Sequence, residues 1–377
     1  MFLLAWRQLC LDPARTFLTA LALGAVIAVV LTLEGFEQGQ YYQLARTVFN
    51  RQADLIVTQA GVSNLMAVRS SIPQLSREKV ESIAGVVNAH PLAWISLIYE
   101  KEGEKTPVFL FVVDTKGGPV HMVRGNGIPK GKEIILNDSL AKKYHLNIGD
   151  PFVVFDFEFT VVGISKDSAA LFTPFAFVNF DGMIDLFIET DIAPDLTTFP
   201  MLSFLLVDLE PGAQREAVAE EIERRVPEVD VFTPGQLAES DMNMGRGFLG
   251  PVMGLLVFVG YIIGLLVVGL VMYAEVRSRL RNFGVLKALG FTHVRLIYGI
   301  ILQALLLLMI SIPVGVILGL GTASFIHTFG PVYLIRWYEP TTFLSTILGS
   351  GFFAILGALI PLRSIRRADP MLAFQGE

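Results

Sequence analysis

His90, His121, His145, His293, His327 and Cys10 are the side chains most able to bind a metal or to form a nucleophile–base pair, and their spacing builds neither. The histidines lack metal-ligand spacing, and a lone cysteine excludes both a disulfide framework and a Cys-cluster metal site. No Gly-x-Ser-x-Gly elbow and no His-Glu-x-x-His pair occurs. The run from Gly125 through Gly127, Lys130, Gly131 and Lys132 to Glu133 approaches a phosphate-binding loop. Such a loop needs four residues between its glycines and a Ser or Thr after the lysine; here five residues separate Gly125 from Gly131, and Glu133 replaces the hydroxyl. We therefore expect a non-catalytic chain that binds no cofactor and no metal.

A second cluster offers docking rather than chemistry. In the segment 275–295, Phe283, Leu286 and Leu289 recur at i, i+3 spacing among Arg279, Arg281 and Lys287, with Gly284, Ala288, Gly290 and Phe291 completing the block. The pattern predicts a short amphipathic helix ended by Gly290. Two uses fit it equally: a helix lying on anionic lipid headgroups, or a docking helix for a soluble partner.

The elements that would position this block are membrane spans. Hydrophobic residues make up 53% of the 377 and charged residues only 17%. Residues 16–33, 248–274, 296–326 and 340–362 contain no Asp, Glu, Lys or Arg. Each is at least as long as the ~18 apolar residues that cross a bilayer. Residues 16–33 exceed a cleavable signal's apolar region, and the small-residue triplet Ala20-Leu21-Ala22 falls in mid-helix, so this span is expected to be a retained anchor.

Charge sets the expected orientation. Residues 1–15, 275–295 and 363–377 hold ten Lys or Arg against four acids, whereas residues 34–249 hold 18 basic and 30 acidic residues. Short basic segments stay on the cytoplasmic side, so both termini and the 275–295 loop are expected inside and the long acidic segment outside. With that acidity, no nucleic-acid partner is expected. The spans contain no series of ionisable residues of the kind a proton-coupled transporter needs.

The external segment reads as α/β. Strand-like runs occur at 54–58, 94–99, 108–114, 133–136, 151–155, 158–164 and 202–209, and Glu102-Gly103 suits a hairpin turn. Helices are expected at 77–84, 139–144 and 213–226, with Ser76 and Asp138 as N-caps. The Gly/Pro-rich stretch 116–132 suits an internal boundary. A helix running from Gln236 into the second span would be continuous unless Gly245 and Gly247 form a hinge. Gln303, Pro313, Gly264, Gly319 and Gly321 are the expected helix-contact and kink positions within the spans. The expected fold class is thus a membrane protein of four transmembrane α-helices, one plus three, with a large α/β extracytoplasmic domain inserted between helices 1 and 2.

Several stretches resemble the FtsX/MacB-like permeases of ABC transporters, most closely the DevC-like stand-alone subunits. They are Ala5-Trp6-Arg7-Gln8-Leu9 with Gly35-Phe36, Glu275-Val276, Val285-Leu286-Lys287-Ala288-Leu289-Gly290-Phe291, Gln303-Ala304, Pro313-Val314-Gly315 and Arg366-Arg367-Ala368-Asp369-Pro370. The blocks 133–141, 146–150 and 159–164 are similar to that family's periplasmic core domain. Many MacB-like members carry an acid where this chain has Asn282, so no salt bridge to an ATPase is expected from that position.

The resemblance implies a cytoplasmic N-terminus (1–15), a first span (16–36) and a periplasmic core domain (37–245). Within the core domain it implies porter-like parts near 50–115 and 200–235 and an inserted subdomain near 116–199. The remainder would be spans 248–274, 296–326 and 340–362, a coupling-helix loop (275–295), a short periplasmic loop (327–339) and a cytoplasmic tail (363–377). It further implies residence in a bacterial inner membrane and a partner ABC ATPase that binds the ATP and Mg, docked on Arg279, Arg281, Phe283, Gly284, Leu286, Lys287, Ala288, Leu289, Gly290 and Phe291. The permease would pair as a homodimer or with a paralogue. A membrane-fusion adaptor and an outer-membrane channel would extend the assembly. The implied activity is mechanotransmission, in which hydrolysis drives extracytoplasmic handling of a lipid-like or amphipathic substrate. A lipoprotein-releasing permease of the LolC/LolE type and an FtsX-like signalling protein share this layout and stay open as alternatives.

Overall fold

The computed structural model describes residues 2–66, 68–190, 201–278, 284–287, 289–330 and 332–361. It divides into a helical unit (residues 1–38, 249–329 and 335–377) and a sheet unit (residues 39–248 and 330–334).

Helix α1 (Phe2–Leu11) opens the helical unit and was not anticipated in the first fifteen residues. It ends because Pro13 starts a new helix, α2 (Pro13–Phe49), at whose head the Asp12 carboxylate accepts from the Arg15 amide at 3.3 Å. Three more long helices are α7 (Pro234–Ser278), α8 (His293–Phe329) and α9 (Pro340–Leu359). Together with α2 they are, among the described residues, the four helices long and apolar enough to cross a membrane. All but α9 extend beyond their charge-free stretches. Helix α7 continues through Gly245 and Gly247, and α8 stays helical through Pro313.

Lipid tails are as apolar as leucine, so helices in a membrane associate through close packing rather than through expulsion of water. Small residues supply that closeness here. A Cβ added at Gly24 would lie 2.7 Å from Val314, and one at Gly264 would lie 3.0 Å from Val26. The expected roles of Gly319 and Gly321 are corrected: the first would only reach Ala28 at 4.0 Å, and the second has open space. Gln303 is buried, as a contact position should be.

The sheet unit is organised by period-two burial. Its strands are β1 (Leu55–Gln59), β2 (Ile72–Pro73), β3 (Val86–Lys101), β4 (Glu104–Val113), β5 (His121–Gly125), β6 (Glu133–Asn137), β7 (Pro151–Val154), β8 (Phe157–Lys166), β9 (Ala169–Ala170), β10 (Thr173–Asn179), β11 (Met201–Leu202), β12 (Phe204–Leu209) and β13 (Val229–Phe232). One sheet runs β13-β1-β12-β3-β4-β10-β6-β8-β5, with β7 on β8 and β9 on β10; β11 and β2 pair separately. The parallel pair β4–β10 joins the strands of 86–113 to those of 121–179.

Val108, Leu110, Val112, Ala176 and Val178 face one core, while Phe111, Val113, Phe175 and Phe177 face the other. Central strands buried on both faces read as unbroken apolar runs, and β4 and β10 do so. The first face is covered by α3 (Gln74–Glu81), α4 (Asp138–Lys143), α5 (Phe180–Glu189) and α6 (Arg215–Arg225). The opposite face receives Leu44 and Val48 of α2 and Leu237 and Ala238 of α7.

Both expected N-caps need correction. Asn137, not Asp138, caps α4, its side chain accepting from the Ser139 amide at 2.9 Å. Ser76 lies inside α3 and donates to Glu228 at 3.0 Å. The 116–132 stretch contributes the edge strand β5. Strand β10 was hidden by Pro174, which sits near the strand's start opposite Ala169, where a missing N–H is tolerated. Glu102 and Gly103 both have positive φ, the backbone of a two-residue hairpin turn, and they join β3 to β4.

Candidate functional site

The docking block lies between α7 and α8. Arg279, Arg281, Phe283 and Ala288 lie outside the described residues. Residues 284–287 form one helical turn that ends as the sequence suggested. The Gly290 amide donates to the Lys287 carbonyl at 3.0 Å and the Phe291 amide to that of Leu286 at 3.1 Å, with Gly290 at φ +87°. These are the two bonds of a Schellman cap, whose accompanying apolar contact joins the residue after the glycine to the residue whose carbonyl it bonds. Leu286 and Phe291 both pack against the core of the helical unit, whose buried residues include Val276 and Leu296.

Of the apolar face expected from i, i+3 spacing, the two described residues Leu286 and Leu289 are therefore divided. Leu286 is turned into the helices and anchors the loop, and Gly284 is buried. Leu289 is 71% exposed and Val285 40% exposed, so these two present apolar surface outward. Lys287 is half-buried.

Helix α2 is the element tied to most of its neighbours in the helical unit. At its start, Arg15 pairs with Glu275 of α7 at 3.1 Å, beside a small cleft that also reaches Gln303. Further along, Thr32 meets Thr322 of α8 at 3.0 Å. Glu34 then accepts from Tyr261 of α7 at 3.0 Å, and from Ser345 and Thr346 of α9 at 3.0 and 2.7 Å. The next residue, Gly35, accepts from the Arg336 amide at 2.7 Å, and a Cβ on it would lie 2.7 Å from the Trp337 nitrogen. Arg15 and Glu34 are 19 residues apart, about 28 Å along a helix and close to the thickness of a hydrocarbon core. Sequence reasoning missed the Glu34 cluster; its one signal was a carboxylate next to a charge-free run.

In the sheet unit, Asp241 of α7 is fully buried and its carboxylate accepts from the Leu65 and Met66 amides at 3.1 and 3.4 Å. Arg51, just past α2, is buried over the Phe111 and Phe177 rings and donates to the Thr47 and Gly117 carbonyls. Burial lowers its guanidinium from the usual range to about 9. Among the histidines, His90 sits between Asp208 and Thr115, and His121 meets Arg46. The glycine-rich run 125–133 forms the end of β5 and the connection to β6.

Residues 16–225 match the family described as MacB-like periplasmic core domain, and residues 254–370 match FtsX-like permease C-terminal. The chain belongs to the MacB/FtsX-like permeases of ABC transporters. Relatives of this permease include an uncharacterized ABC transporter permease of Mycobacterium tuberculosis, 26% identical over 98% of this chain and 97% of that protein. Another, from Methanocaldococcus jannaschii, is 23% identical over 74% of this chain and 73% of its own. The macrolide export ATP-binding/permease protein MacB of Nitrosomonas europaea is 21% identical over 99% of this permease and 58% of its own length. The permease is thus a multi-pass membrane protein whose sheet unit is its extracytoplasmic domain, and its family implies an ATPase partner.

Proposed function

We propose that this permease is the mechanical link between a separate ABC ATPase on the cytoplasmic side and its own extracytoplasmic domain. The observation that carries this reading is α7. It starts two residues after β13, and its 45 residues continue as one helix to Ser278, at the edge of the docking loop. The helix continues through Pro251, which removes one backbone donor without ending it, so a displacement given to one end has a continuous helical path to the other.

The loop provides the grip. Leu286 and Phe291 fasten it to the helices, and Leu289 and Val285 are left to fill an apolar pocket on the ATPase, which holds the ATP and Mg. The termini face the cytoplasm of a bacterial inner membrane. Two permease copies, or this chain and a paralogue, act with two ATPases, and an adaptor and outer-membrane channel complete an efflux path. The central stretches of the spans carry no series of ionisable residues, which favours a lipid-like or amphipathic substrate taken up on the outer side.

The test is recruitment. Leu289→Asp combined with Val285→Asp is expected to abolish co-purification of the ATPase while the permease still inserts and folds. Leu286→Asp is expected to lower the amount of folded permease instead. Unchanged ATPase recovery with the double variant would refute the docking assignment.

A further inference from the structure

We propose that Glu34 is the positioning residue that makes the spans respond as one body, by clasping α2, α7 and α9 at the end of the bundle remote from the docking loop. This rests on the mechanical reading above and adds a residue to it.

The argument starts from the cost of an ionisable group next to lipid. A carboxylate there is expensive unless its lone pairs are satisfied, and in membrane helices such a residue marks a working site more often than a packing one. Glu34 is half-buried, and three hydroxyls donate to it from two other helices. The setting is built for this. A Cβ at Gly349 would lie 2.5 Å from the Tyr261 hydroxyl, so only glycine leaves room for the phenol. The Tyr261 ring stacks on Phe353 of α9 with centroids 5.0 Å apart. At the adjacent Gly35, the α8–α9 connection closes onto α2 through the Arg336 amide.

The consequence is mechanical. At the loop end, the Arg15–Glu275 pair ties α2 to α7, and at the far end Glu34 ties the same two helices and adds α9. The docking loop joins α7 to α8, and its motion enters α7 at that helix's C-terminal end. With the clasp closed, that motion is shared by α2, which also leads into the sheet unit. Without it, α7 can move while α2 and α9 stay behind. Removing the clasp therefore uncouples the outer response from hydrolysis, while ATPase binding persists.

The experiment uses the permease co-expressed with its ATPase and reconstituted in lipid nanodiscs. Two quantities are read: the ATPase rate, and the ATP-dependent change in hydrogen exchange of the sheet unit. Glu34→Leu is expected to hold the ATPase rate within about twofold of the parent while the exchange change falls by about tenfold, the scale on which single contacts tune coupling. Glu34→Gln, which keeps one acceptor, and Tyr261→Phe, which removes one donor, should fall between. A full exchange response in Glu34→Leu overturns the clasp. So does a proportional fall in both quantities with a lower thermal midpoint, which marks a purely structural residue. An unmodified complex with no ATP-linked exchange change sinks the mechanical reading itself, and the clasp with it.

Discussion

The sheet unit and the helical unit are held together by different forces. In the sheet unit the largest fully buried side chains after Arg51 are aromatic: Phe111, Phe152, Phe159, Phe175, Phe177 and Phe204. Their burial from water is worth a few kcal/mol each. In the helical unit the tight contacts fall at small residues, such as Gly24 on Val314 and Gly357 on Val268, with a few polar ties around α2. There the unfolded alternative is lipid, and shape does the work that water does elsewhere. A substitution should therefore be judged by the unit it falls in.

The largest effect that separates the two is truncation of a large side chain. Phe177→Ala is expected to cost about 3–5 kcal/mol and to open the sheet unit to exchange and proteolysis. Leu307→Ala, equally buried among the helices, should cost clearly less, because part of its apolar contact is regained from lipid. Equal losses, read by hydrogen exchange of the full chain in nanodiscs, would break the comparison.

The converse substitution sharpens it. Gly24→Leu is expected to cost about 1–3 kcal/mol by prising α2 from α8, seen as a lower thermal midpoint and partly restored by Val314→Ala. Gly321→Leu, where nothing lies within 4 Å, should change stability by less than about 0.5 kcal/mol. Similar penalties at both glycines would show that close packing is not what distinguishes Gly24, since leucine is the better helix former at either position.

The smallest effect concerns the tie beside the docking loop. Arg15 is 36% exposed, so Arg15→Ala should cost only about 0.2–1 kcal/mol. Exchanging the charges, Arg15→Glu with Glu275→Arg, should recover it in a double-mutant cycle. No coupling between the two would remove the pair from the set of α2 ties.

Much of this architecture was legible in advance because it depends on local pattern. Charge-free runs of 18 or more residues have few alternatives to crossing a membrane, and the helices fall on them. The Gly290 cap was legible because a residue at positive φ after an apolar turn is a local demand. The division of labour between Leu286 and Leu289 was not. Their spacing places both on one helix face, but which of them is covered depends on how the core of the helical unit meets the loop. Arg51 carried no local signal for a similar reason: it is the rings of Phe111 and Phe177, on two sheet strands, that it lies over.

The sequence by itself determined how many helices are long and apolar enough to cross, where the α/β domain is inserted, and which segment closes on Gly290, since each follows from periodicity within a few turns of chain. Tertiary structure alone decided what meets Glu34. Its partners lie 227, 311 and 312 residues away, and no local pattern encodes the helix register that brings one tyrosine, one serine and one threonine to a single carboxylate.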